Sequence, residues 1–304
     1  VYKRQVYNMY GINVMDYMDL YKKFTYTNQE SYRLDHIAFV ELGQRKVDHN
    51  EFENFKDFYT KDWQKFIDYN IVDVELVSRL EEKMKLIELA VALAYDAKVN
   101  MQDVYYQVRM WDTLIYNFLK KKGIVVPPGK RSDKDDKYAG AYVKEPIAGR
   151  YNWVVSFDLN SLYPHLIMQY NISPETLVEK RHPSATVNGL LSQKVEVPEE
   201  FCLCANGAMY RKDIHGFLPE MMKKIYDERV QSKKLMILAK KEYEKTPTKE
   251  LEKSISKYNN IQMARKIQLN SAYGAIGNQY FRYYNLINAE AITLSGQVSI
   301  RWIE

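Results

Sequence analysis

The chain has 304 residues, 46% of them apolar, which is too many for a disordered chain and enough for a core shared among two or three lobes. Its net charge of +5 permits a polyanionic partner without requiring one. No apolar run reaches the ~18 residues of a membrane-spanning helix and no signal peptide opens the sequence, so no role in a membrane is expected. The only two cysteines, Cys202 and Cys204, sit too close to bridge readily, and no second pair or histidine cluster completes a zinc site. Reduced thiols and a cytosolic compartment are the expectation. The chain opens on Val1 and "GQVSIRWIE" stops in mid-pattern, which suggests a piece of a longer protein.

Residues 1–100 are expected to alternate short strand-like pieces with helices. The stretch "KDFYTKDWQKFIDYNIVDVELVSRLEEKMKLIELAVALAY" has helical periodicity, with Ile67, Ile71, Val74 and Val77 approximating one apolar face. "VVPPGKRSDKDDKYAGAYVKEP" comes next, rich in proline, glycine and charge, and reads as a loop between lobes. "YNWVVSFDL" predicts a strand leading into a turn and a short helix, and residues 177–216 read as strands and loops. From Pro219, which suits a first helical turn, the pattern becomes strongly helical through "EMMKKIYDERVQSKKLMILAKKEYEK". "TPTKE" interrupts it, and a second helix runs through "LEKSISKYNNIQMARKIQLNSAYG". Two long charged helices joined by so short a turn predict an antiparallel hairpin.

The apolar run "WVVSF" ends in Asp158. A carboxylate at the end of a buried strand is costly unless something compensates it, and a metal ion is one candidate. The turn "NSLYP" leaves backbone amides unpaired, with Ser161 and Pro164 placed like the start of a helix, and such amides attract phosphate. On these residues alone, a metal–triphosphate site and an ordinary strand-end aspartate followed by a capping serine both remain open. Arg229 and Lys233 are four apart on the first long helix; Lys266, Asn270, Tyr273 and Gly274 share a face of the second. Each set could be a solvated stripe. Together with the aspartate-bearing strand they fit a clamp for a polyphosphate.

At this point the motifs resemble those of one family. "DLNSLYP" is similar to motif A of family B DNA polymerases, and "KIQLNSAYG" matches their motif B pattern K-x-x-x-N-S-x-Y-G. "YAGAYVKEP" resembles the short motif joining exonuclease and polymerase modules, and "YNIVD" the Y-x-x-x-D third exonuclease motif. The order along the chain is the family's, and "MDYMDLYKKFTYTNQ", "NISPET" and "FRYYNL" resemble the replicative polymerases of large tailed bacteriophages. The resemblance implies an α+β fold: the C-terminal part of an RNase H-like 3′–5′ exonuclease domain over 1–122, a linker over 123–150, a partial palm sheet with motif A over 151–216, a two-helix antiparallel fingers hairpin over 217–275, and a truncated return to the palm over 276–304.

It also implies template-directed deoxynucleotidyl transfer in phage DNA replication, in the host cytoplasm, with proofreading in the parent protein. Two Mg²⁺ ions would be held in part by Asp158 and the Leu159 carbonyl. The amides near Ser161 and Leu162 would receive the triphosphate, and Tyr163 would lie beneath the sugar and exclude a 2′-hydroxyl. Arg229, Lys233 and Lys266 would neutralise the triphosphate, Arg229 and Lys266 serving catalysis with Asp158. Asn270 would take part in nucleotide binding, and with Tyr273 and Gly274 it would face the nascent base pair. Tyr69 and Asp73 would belong to the exonuclease, Asp73 as a metal ligand. Template–primer DNA and deoxynucleoside triphosphates are the implied partners, with a sliding clamp and a single-stranded-DNA-binding protein around the parent.

The sequence departs from the pattern in places. His165 stands where the family has a small residue, and little effect is expected of it. No "DTD" occurs, so the third polymerase motif is missing, as is the D-x-E of the first exonuclease motif. The chain alone is therefore expected to be inactive, needing a C-terminal palm and thumb segment or a partner chain. The competing readings are a non-catalytic nucleotide- or DNA-binding module, and a nuclease built on residues 1–100, which one aspartate cannot assemble.

Overall fold

The computed structural model describes residues 9–25, 27–129 and 139–304, so the charged centre of the expected inter-lobe loop lies outside the described residues. Two compact units divide the chain, Val1–Tyr105 and Tyr106–Glu304.

Among the described residues the first unit is helical, against the expectation of interspersed strands. It contains α1 (Tyr17–Phe24), α2 (Leu34–Leu42), α3 (Phe55–Lys61), α4 (Trp63–Met84), α5 (Leu86–Ala97) and a closing 3-10 turn, Met101–Tyr105. The apolar residues of this unit are spaced to bury one face of each helix: Leu20, Tyr21 and Phe24 in α1, Ile37 and Ala38 in α2. Asp62 caps α4 by accepting from the Lys65 amide. Lys85, left-handed at φ 57°, ends α4 and starts α5, dividing what reads in sequence as one continuous helical stretch.

The buried stripe of α4 is Tyr69, Leu76 and Leu80, while Ile71 and Val74 are exposed, Val74 by 72%. The expected face is therefore displaced: Tyr69 lies two residues beyond Ile67, about half a turn of helix. Aromatic packing accounts for the rotation. The Tyr69 ring lies 5.0 Å from His49 and 5.8 Å from Phe58, and Phe58 stacks on Phe52 at 4.7 Å.

The second unit comprises α6 (Gln107–Lys121), α7 (Leu162–Gln169), α8 (Val187–Leu191), β1 (Phe201–Leu203), β2 (Met209–Arg211), α9 (Phe217–Lys245), α10 (Lys249–Ile276) and α11 (Leu286–Ile303). The strands form an antiparallel pair with Cys202 opposite Tyr210, turned by Gly207 at φ 81°. Of residues 1–122, expected to form the end of one domain, 1–105 make up the first compact unit and α6 packs in the second. Trp111 is buried and its indole N–H donates to Ser271 Oγ at 3.0 Å. Asp112 pairs with Arg282, Nε–Oδ1 at 2.9 Å and Nη2–Oδ2 at 3.1 Å.

"YNWVVSFDL" is not a strand. Residues 151–160 are exposed, Phe157 by 83%, and among the described residues no strand lies beside them. Extended backbone without a neighbour to share its hydrogen bonds does not make a sheet, however strand-like its side chains. Upstream, Ala139 and Gly140 lie along α11, their carbonyls accepting from Thr293 Oγ1 at 2.8 Å and Gln297 Nε2 at 2.7 Å.

The predicted hairpin is present. α9 and α10 are joined by Thr246–Thr248, the Thr248 hydroxyl capping α10, and an Arg265–Glu228 ion pair at 2.7 Å ties the two helices together well away from the turn. The base of α9 has no side-chain cap of its own, since its N-cap is Gly216. The "NISPET" loop supplies the acceptors: Asn171 Oδ1 takes the Gly216 amide at 3.0 Å, Glu175 Oε1 the Phe217 amide at 2.6 Å, and Ser173 Oγ the Leu218 amide at 3.4 Å.

Both cysteines are free, Cys202 half-buried and Cys204 buried. Burial pushes the Cys204 thiol up to about 12 and raises Cys202 as well. The thiolate is the reactive form, so a thiol reagent at mildly alkaline pH is expected to label Cys202 slowly and Cys204 only after unfolding. Peptide mass spectrometry reads this directly; rapid labelling of Cys204 in the folded chain would contradict the burial. No helix among the described residues is long and apolar enough to cross a membrane.

Candidate functional site

The turn into α7 is the centre of the site. Ser161 occupies the N-cap position in the left-handed region, φ 53° and ψ 46°, a conformation uncommon outside glycine. It does not cap the helix as expected. Its hydroxyl donates to Asn160 Oδ1 at 3.3 Å and accepts from Arg229 Nη1 at 3.2 Å. Its carbonyl accepts from the His165 amide at 3.1 Å and from the His165 ring at 3.0 Å. The first amides of α7 are consequently left without a side-chain cap, and Pro164, the third helical residue, has no amide to satisfy.

A cleft of about 380 Å³ opens at this turn, lined by Asp158, Leu159, Asn160, Ser161, Leu162, Tyr163 and Pro164 from one side and by Arg229, Lys266 and Asn270 from the hairpin. That volume suits a nucleotide-sized ligand. Arg229 Nε is buried without a hydrogen-bond partner, a donor on a permanent cation with no protein acceptor. The hairpin thus presents positive charge to the turn, and Asp158 presents an exposed carboxylate at the cleft's edge rather than at a buried strand end.

Of the residues singled out from sequence, Asp158, Leu159, Ser161, Leu162, Tyr163, Arg229, Lys266 and Asn270 converge on this cleft. Lys233, one turn beyond Arg229, is exposed and is not among the residues lining it. Tyr273 packs on Tyr163, ring centroids 4.7 Å apart, and a Cβ added at Gly296 of α11 would lie 3.2 Å from the Tyr163 ring. Gly274 faces α6: a Cβ there would stand 2.7 Å from Gln107 Oε1. Asn160 and His165 take part in the turn without having been assigned a role from sequence. Asn160 sits inside the quoted motif; nothing local marks His165.

In the first unit, Tyr69 and Asp73 do meet, through Lys46. Its ammonium bridges to Asp73 Oδ2 at 2.7 Å and donates to the Tyr69 hydroxyl. Burial works against the charge, yet the hydrogen bonds to Asp73 and Tyr69 hold the Lys46 pKa above its ordinary value. Asp73 Oδ1 is buried without a partner.

Among the described residues no group of three or more histidine, cysteine, aspartate or glutamate side chains could hold a metal ion. Asp158 and Asp73 each fit as one donor of a larger set and not as a complete site.

A helical hairpin thus stands over a carboxylate-bearing turn in a mostly helical α+β chain. The chain belongs to DNA polymerase family B, whose family model matches residues 100–303. It is 36% identical over 343 aligned positions to the DNA-directed DNA polymerase of Escherichia phage RB69, and 34% over 346 to that of Enterobacteria phage T4. Each alignment covers 99% of this chain and 38% of the phage polymerase, so the chain spans well under half the length of these relatives. A DNA polymerase of Pyrococcus glycovorans is 34% identical over 55% of the chain. The solved family B DNA polymerase of Pyrobaculum calidifontis shares the fold at a TM-score of 0.65 and 22% identity, over 88% of this chain and 33% of that one. Family B polymerases use divalent metal ions and bind template–primer DNA and deoxynucleoside triphosphates.

Proposed function

We propose that this chain is the central segment of a phage DNA-directed DNA polymerase that works in the host cytoplasm, and that the cleft at Ser161 receives the incoming deoxynucleoside triphosphate. The observation carrying the reading is the convergence of Asp158, the uncapped start of α7, Arg229 and Lys266 on one cleft. The backbone amides near Ser161 and Leu162 and the Arg229 guanidinium donate to phosphate oxygens, and Lys266 adds charge opposite them. In a phosphoryl-transfer transition state charge accumulates on those oxygens, so fixed cations there lower the barrier. Lys233 joins them only if the hairpin closes further. Asp158 and the Leu159 carbonyl would be this chain's contribution to holding two Mg²⁺ ions, which when bound would activate the attacking hydroxyl and stabilise the leaving pyrophosphate.

Within this reading, residues up to 122 end a proofreading exonuclease, with Tyr69 and Asp73 in its site. Residues 123–150 are a linker, 151–216 and 276–304 palm, and 217–275 fingers. Asn270 and Tyr273 face the nascent pair; Gly274, expected beside them, is turned toward Gln107 of α6. A C-terminal palm and thumb, on the same chain or a partner, completes the carboxylates. The sliding clamp and single-stranded-DNA-binding protein act around the whole enzyme.

Primer extension by the polymerase containing this segment tests the proposal. Template-directed incorporation is expected, and Tyr163→Ala is expected to admit ribonucleotides, raising their use relative to deoxynucleotides by about 10²-fold as the ring that fills the 2′ position is removed. Unchanged sugar discrimination would place that selection elsewhere. The absence of a complete carboxylate set among the described residues also suits a non-catalytic nucleotide- or DNA-binding module; template–primer binding with no extension by the completed protein would favour it.

A further inference from the structure

His165 is the residue the family pattern leaves without a role, and its contacts are specific. A carbonyl oxygen only accepts, so the 3.0 Å contact to Ser161 O requires the proton on Nδ1. The ring also meets Tyr226 of α9 edge-on, centroids 4.7 Å apart at 81°. Tyr226 and Arg229 are three residues apart on α9 and share a face. Ser161 is therefore tied to α9 twice, its hydroxyl directly by Arg229 and its carbonyl through His165 and Tyr226.

We propose that His165 is a positioning residue for the incoming nucleotide, locking Ser161 in its left-handed conformation and so fixing the backbone amides near Ser161 and Leu162 at the cleft. His165 is not among the residues lining that cleft, so it acts through Ser161 and does not touch the ligand. A left-handed serine relaxes toward commoner backbone angles unless its surroundings hold it, and relaxation swings the adjoining peptide planes. The ring further couples the turn to α9, the helix that carries Arg229. The inference rests on the proposed nucleotide cleft and names a residue that serves it.

The test compares His165→Leu, similar in size without a donor, with His165→Asn, whose Nδ2 can stand in for Nδ1. In primer extension by the polymerase containing this segment, His165→Leu is expected to raise the nucleotide KM about tenfold, with kcat within about twofold and template–primer affinity unchanged. His165→Asn is expected to return KM to within about twofold of wild type. A purely space-filling role predicts the opposite order, with leucine the milder change, and that order or an unchanged KM in both variants overturns the assignment. Should His165→Leu fail to fold, Tyr226→Leu decides: a raised nucleotide KM supports the coupling to α9, and a wild-type KM overturns it. An active wild-type polymerase with indifferent variants sinks only the positioning role; a wild type that incorporates no nucleotide sinks the cleft as well.

Discussion

Asp158→Ala is expected to lower nucleotide incorporation by the polymerase containing this chain by about 10³-fold or more, corresponding to about 4 kcal/mol of transition-state stabilisation. Template–primer affinity should stay within about twofold, because DNA contacts go mainly to phosphates and this side chain is an anion. The side chain is exposed, so its removal leaves no cavity and strands no buried partner. Single-turnover incorporation and a DNA-binding titration on the same preparation separate chemistry from binding. Near-wild-type turnover would remove Asp158 from the reaction.

Asn171→Leu is expected to destabilise the second unit by about 3 kcal/mol, since one buried amide and two part-buried carbonyls lose their partner, the buried one at about 1–3 kcal/mol. The Asn171 amide donates to Arg211 O at 2.6 Å and Ile214 O at 2.8 Å, and its carbonyl oxygen takes the Gly216 amide. Asn171 is also left-handed, at φ 54°, which asparagine tolerates and leucine does not. Asn171→Asp keeps the acceptor for Gly216 and loses the donors, so it should fall between the two. Denaturant unfolding measures both; a leucine variant within about 1 kcal/mol of wild type would mean the loop does not anchor α9.

What the sequence makes legible is local. The hairpin could be placed because Pro219 and "TPTKE" punctuate long helical patterns, and α9 and α10 run close to the expected bounds. The cleft could be named because Asp158–Pro164 are contiguous and the hairpin residues recur at helical spacing. Distant pairings left no trace. α6 belongs with the second unit through Trp111 and Ser271, 160 residues apart. The buried side of α4 is chosen by rings at His49 and Phe58, and the break at Lys85 carries neither glycine nor proline to announce it. "YNWVVSFDL" has strand-like side chains, but a sheet is a property of two segments, and no second one stands beside it among the described residues.

Gly296 places the backbone of α11 directly beneath the Tyr163 ring. Tyr163 rests on bare helix backbone there, with 3.2 Å to where a methyl group would begin, so the height of the phenol is fixed by a spacer of zero thickness. Gly296→Ala inserts a shim: the ring must rise by a few tenths of an ångström. Under the role proposed for Tyr163, sugar selectivity would be adjustable from beneath, without altering the tyrosine.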